Sequence, residues 1–151
     1  LKLPDRNGLR TPMQWEDAPH AGFSNTQSDA TYAPVIRDPT YGFQVVNVAA
    51  QQADPDSLLY TVRKMIAHRK AMSFLAKGKL TWLEETPLSS LSYWRNTPTG
   101  RLLALHNLHE APLTLAVPEW ETLTNVLQPD QAVSAEITLP PYGYAWLRPK
   151  E

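Results

Sequence analysis

After Gly78 the chain becomes a succession of short apolar segments separated by Pro, Gly, Asn and Asp, and this limits the folds open to it more than any other feature. The segments run 79–84, 89–96, 101–108, 112–117, 122–125, 133–139 and 144–148. Each is too short for a stable helix and long enough for a strand. Leu113, Leu115 and Val117 alternate with Thr114 and Ala116, the period of a strand with one buried face. Closely spaced strands with a turn signal between each pair predict an antiparallel β-sandwich over 77–151.

The residues before Gly78 follow two other patterns. Asp54-Pro55 reads as a helix start, with Asp54 accepting first-turn amides and Pro55 in the first helical position. Leu58, Leu59, Val62, Met65, Ile66 and Met72 then recur at helical spacing, which predicts a helix over about 54–75 with one buried face. Residues 1–50 show no such period. Turn formers recur there, at Asn7-Gly8, Asp17-Ala18-Pro19, Asp38-Pro39 and Tyr41-Gly42. So long an irregular stretch signals a functional loop or a piece whose packing partner lies elsewhere. The fold expected is therefore an α+β fragment: an irregular region and one long helix over 1–76, then the sandwich.

Composition closes off several classes. A net charge of −1 lacks the clustered basic surface that nucleic acids or anionic membranes require, so neither is expected as a partner. No apolar run is long enough to cross a bilayer as a helix. The absence of cysteine removes disulfides and thiolate metal sites and suits a reducing, cytoplasmic setting. His106 and His109 are three apart on and just past a strand, so they point to opposite faces. With His20 and His68 elsewhere, no metal site and no cofactor are expected. The chain opens on Leu1 with no signal-peptide pattern, which suggests an excised piece.

The chemistry concentrates in Asp5-Arg6-Asn7-Gly8-Leu9-Arg10-Thr11-Pro12-Met13-Gln14-Trp15, followed by Ala21-Gly22-Phe23-Ser24. A loop with so many planar polar groups beside an indole suits a sugar- or anion-contacting surface. The segment resembles the trehalose synthases, and in shorter form the oligo-1,6-glucosidases, of the α-amylase superfamily of glycoside hydrolases. The run Asp38–Gln51 and the helix sequence from Ser57 to Lys70 are similar to that family too. The resemblance implies that the loop follows the last strand of a catalytic (β/α)8 barrel, that the helix is its last, and that a C-terminal β-domain follows.

It also implies a division of labour. Retaining glycosidases use one carboxylate as nucleophile and a second as acid/base, and the family's catalytic trio belongs to barrel segments whose motifs are absent here. Glu84-Glu85, Asp54/Asp56 and Glu119/Glu121 read as exposed or capping groups, so no catalytic residue is assigned. By motif, Arg10 corresponds to the arginine that reaches the non-reducing glucose; the alternative is that it pairs with Asp5 or another acidic group to hold the loop. Gln14 can bond either sugar or loop backbone. Asp5 and Arg6 are expected to brace the Asn7-Gly8 turn, and Trp15 and Phe23 to pin the loop. Trp82, Trp94, Trp120 and Trp146 suit packing, with a glucan platform as the alternative.

The function implied is that of a trehalose synthase-like enzyme's C-terminal part, inactive alone. The intact enzyme would act on an α-glucosidic sugar, turning maltose into trehalose by intramolecular glucosyl transfer. An α-glucosidase-type hydrolase and a non-catalytic glucan-binding or stabilising β-domain are the alternatives. Without its barrel, the 1–50 region is expected to self-associate, making a homo-oligomer.

Overall fold

A computed structural model describes residues 10–27, 31 and 33–150, and the chain divides into two compact units, Leu1–Arg63 and Lys64–Glu151. The arrangement is α+β, with two helices and seven strands in the order α1 (Val48–Ala53), α2 (Leu58–Ala71), β1 (Lys79–Trp82), β2 (Ser90–Thr97), β3 (Gly100–Asn107), β4 (Leu113–Ala116), β5 (Leu123–Asn125), β6 (Glu136–Leu139) and β7 (Tyr144–Pro149).

In the first unit the described chain between residues 10 and 47 is mostly loop and turn. Helix α1 was not anticipated from the sequence. It forms because buried Asn47 caps it: Oδ1 accepts from the Ala50 amide at 2.8 Å, while Nδ2 donates to the Phe43 carbonyl at 2.9 Å. Helix α2 begins at Leu58, later than expected. Asp54 caps a turn instead, its Oδ1 accepting from the Asp56 amide and its carbonyl from the Ser57 amide. The α2 amides are met by other groups: Gln51 Oε1 accepts from Leu59 at 2.9 Å, and Ser57 Oγ from Tyr60 at 3.4 Å.

The expected buried face of α2 is a second correction. No α2 residue is buried, and Leu58, Val62 and Ile66 are 70%, 43% and 48% exposed. Of the predicted face only Met72, just past the helix, is buried, with Leu59 and Met65 partly so. Apolar spacing shows which face of a helix prefers to be covered; it does not supply the cover.

The second unit is held by two antiparallel sheets. One has the order β1-β2-β3-β7-β5 and the other pairs β4 with β6. The predicted strand segments fall on these seven elements. Leu103 and Leu105 of β3, Leu115 of β4, Leu123 of β5, Ile137 and Leu139 of β6 and Leu147 of β7 share one buried cluster, so the sheets pack face to face. Burying each such leucine is worth about 1.5–3 kcal/mol. The opposite face of β3 carries Leu102 into a smaller cluster with Met72, Leu75, Val126 and Leu127. Gly100 matters at the β2–β3 hairpin, since a Cβ there would lie 2.7 Å from a Phe74 ring carbon.

Candidate functional site

In the loop 10–27 most side chains are exposed, Pro12 and Ala21 being buried, and backbone hydrogen bonds hold its middle. Carbonyls of Gln14 and Trp15 accept the Val48 and Ala49 amides at 2.9 Å each, serving two of the first amides of α1. Gln14 Nε2 donates to the carbonyls of Val46 at 2.6 Å and Tyr41 at 3.2 Å. Of the two roles open to Gln14, its amide nitrogen takes the loop-backbone one. Its Oε1 is buried and, among the described residues, has no hydrogen-bond partner. Thr11, Met13, Gln14, Ile36, Val46 and Gln51 line an open cleft of about 250 Å³ beside this clasp.

Pro19–Gly22 forms a single tight turn with an unusual hand. His20 (φ 54°), Ala21 (φ 59°) and Gly22 (φ 66°) are consecutive left-handed residues. For the two non-glycines that conformation costs about 1–2 kcal/mol each. The surroundings compel it. The Ala21 carbonyl accepts from the Trp15 amide at 2.8 Å and the Glu16 amide at 3.3 Å, and Ala21 itself is fully buried. A side chain at Gly22 would place its Cβ 2.6 Å from Glu16 Cγ. Strain held this firmly is typical of binding and catalytic loops.

Arg10 is exposed, and among the described residues it makes no ion pair. Asp5 and Arg6, the expected braces, lie outside the described residues, as does any Arg10–Asp5 contact. Trp15 and Phe23 are 49% and 53% exposed, so their backbones are anchored in this chain while their rings face outward. On the sandwich, Trp94 and Trp120 pack against the larger core and Trp146 against the smaller one. Trp82 is exposed and stands edge-on to Tyr93 at 5.8 Å. The strand tryptophans therefore form no exposed pair.

Every described carboxylate side chain belongs to an exposed residue. A general acid for glycoside cleavage needs its pKa raised, most often by burial. At Glu119 the direction is the opposite: the hydrogen bond from Arg101, and then its charge, hold that carboxyl below the usual carboxylate value. These exposed groups can bind and orient. Among the described residues no cluster of His, Asp or Glu could hold a metal ion, and no helix is long and apolar enough to cross a membrane.

The site residues missed from sequence are Asn47, Gln51, Ser57 and the left-handed turn. A faint signal for the first existed, since Asn47 precedes the helix-forming run Val48-Ala49-Ala50-Gln51-Gln52-Ala53.

Comparison with known proteins places this loop in context. Residues 3–78 match the family described as "Alpha amylase, catalytic domain". The chain is 34% identical to trehalose synthase/amylase of Mycobacterium tuberculosis (strain H37Rv), over 97% of its own length and 26% of that protein. It is 38% identical to trehalose synthase of Pimelobacter sp. over 73% of its length and 20% of that protein, and 29% identical to oligo-1,6-glucosidase of Bacillus cereus over 94% and 25%. Among solved structures, trehalulose synthase MutB from Pseudomonas mesoacidophila superposes with a TM-score of 0.78 at 21% identity, over 93% of this chain and 25% of that one. A variant trehalose-6-phosphate hydrolase of Bacillus licheniformis gives 0.79 at 23%, over 97% and 26%. The chain thus spans about a quarter or less of the length of the curated relatives it matches over nearly its whole length, 26% in the mycobacterial case and 16% of the trehalose synthase of Thermus thermophilus.

Proposed function

This chain belongs to the α-amylase family, and we propose that it forms the tail of a trehalose synthase-like enzyme converting maltose to trehalose. Residues 1–76 would complete the catalytic barrel, with α2 as its last helix, and 77–151 would be the C-terminal β-domain. The end of the family match at residue 78 supports that division. The reading is supported by one observation: Arg10 is exposed on a loop that is clamped by backbone bonds from Gln14 onward.

In this reading the nucleophile and acid/base carboxylates come from the larger part of the enzyme, and glucosyl transfer proceeds by the retaining route. The chain supplies binding. The planar guanidinium of Arg10 would hold hydroxyls of the glucose undergoing transfer, fixing it for attack. The clamp at Gln14 and the strained Pro19–Gly22 turn would limit how far that arginine can drift. Trp15 and Phe23 would be covered by the barrel. By itself the chain would turn over no sugar, and its lack of cysteine suits a cytoplasmic enzyme.

The decisive experiment is Arg10→Ala in the longer enzyme. We expect kcat/KM for maltose to fall roughly a hundredfold, about 3 kcal/mol of transition-state stabilisation, with an unchanged melting temperature. Unchanged kinetics, or a variant that fails to fold, would remove the binding role. The similarity to oligo-1,6-glucosidase favours a second reading, hydrolysis. Product analysis separates the two: trehalose without matching free glucose marks transfer, and free glucose alone marks hydrolysis.

A further inference from the structure

We propose that the cleft between the end of α2 and the β1-β2-β3-β7 sheet is an oxyanion-binding site built on Arg69 and Arg95. Strand register makes the wall. Leu80, Arg95 and Leu102 form one cross-strand row, and Tyr93, Ala104 and Trp146 form the next. Both rows lie on the sheet face opposite Leu103 and Leu105. These six residues, with Leu75 and Arg69, line a cleft of about 180 Å³.

The charge there is unbalanced. Two arginines line a small cleft whose other six lining residues are aliphatic or aromatic, and no carboxylate lines it. The one ion pair among the described residues, Arg101 with Glu119, is elsewhere. Arg95 is half-buried, and its Nη2 is aimed by a 2.6 Å bond to the Leu75 carbonyl, which leaves the rest of its donor fork uncommitted in the described contacts. An anion bound in the cleft would be attracted to both charges. Arginine forks match phosphate and carboxylate oxygens in pairs. The Tyr93 and Trp146 rings add a surface for a flat or ring-shaped carrier of the anion.

The chemistry fits free phosphate or the phosphate of a small sugar, and one titration distinguishes them. The ¹⁵N-labelled 151-residue chain is followed by NMR at the Trp146 indole and Arg95 Nε signals. The probes are inorganic phosphate, glucose 6-phosphate and glucose, each at constant ionic strength, with sodium chloride as control. Saturable shifts confined to these groups are expected, with a Kd on the order of 1 mM. Tighter binding of glucose 6-phosphate than of phosphate identifies a phosphorylated sugar; equal binding identifies phosphate itself. Arg69 is exposed, so Arg69→Gln should keep the dispersed spectrum while weakening binding about tenfold. Non-saturating shifts, equal shifts in sodium chloride, glucose binding as tightly as glucose 6-phosphate, or an unaffected Arg69→Gln variant would each overturn the site.

Discussion

The two units solve the problem of order in opposite ways. In the sandwich, order comes from apolar side chains: Leu103, Leu105 and Leu147 are fully buried, and the strands follow from what those leucines must hide. In the loop region few side chains are buried, and order comes from polar groups. Carbonyls of Gln14 and Trp15, the Gln14 amide and the Asn47 carboxamide tie successive turns together. A leucine core tolerates slow change on its surface, whereas a hydrogen-bonded clasp keeps its own outer side chains available. Exposed Arg10 stands four residues before that clasp.

This contrast can be broken most sharply at Leu105. Leu105→Ala should destabilise the second unit by about 2–5 kcal/mol, because it leaves a cavity where nothing can collapse fully. Urea unfolding followed by far-UV circular dichroism measures it; a loss under 1 kcal/mol would mean the core is looser than described. The corresponding break in the first unit is polar. Asn47→Ala removes the cap of α1 and strands the Phe43 carbonyl, for an expected cost of about 2 kcal/mol. Amide hydrogen exchange should show the loss in residues 48–53 while β3 stays protected.

The third change has the opposite sign. His20→Gly relieves one left-handed residue and should stabilise the turn by up to about 1 kcal/mol, visible as a raised melting temperature. A lowered melting temperature would show that the His20 side chain contributes more than its backbone costs. The smallest effect concerns the surface pair Arg101–Glu119. Arg101 lowers the Glu119 pKa, first by its hydrogen bond and then by its charge. The pair's contribution is therefore intact above the ordinary carboxylate range and is lost as pH falls through the lowered value. Glu119→Gln should flatten that acid limb of the melting curve and leave neutral pH nearly unchanged. An acid limb identical in both proteins would remove the pair from the account.

Legibility followed the same division. The seven strands could be read because period-two apolarity and turn residues act locally, and their ends fall within a few residues of expectation. Helix α2 was legible as a helix and misread at both its cap and its face. Ser57 and Gln51 replace Asp54 at its start, a choice that depends on where Gln51 arrives in space. The exposed Leu58, Val62 and Ile66 show that periodicity states a preference for cover, not its source. At the candidate site the motif picked out Arg10 and Gln14. It could not show that the Gln14 amide would be spent on Val46 and Tyr41, more than two dozen residues away.

The sequence by itself determined the family, through a loop whose residue pattern is dense and specific, and the strand content, through short-range alternation. Tertiary structure alone decided which polar groups are consumed internally and which stay available. It closed three successive left-handed residues around the Ala21 carbonyl, since amides six and five positions earlier meet there. It also set Arg69 and Arg95 in one cleft without a carboxylate. Both outcomes depend on partners distant in the chain, and hydrogen bonds and charge balance are settled by what meets in space rather than by what is adjacent in sequence.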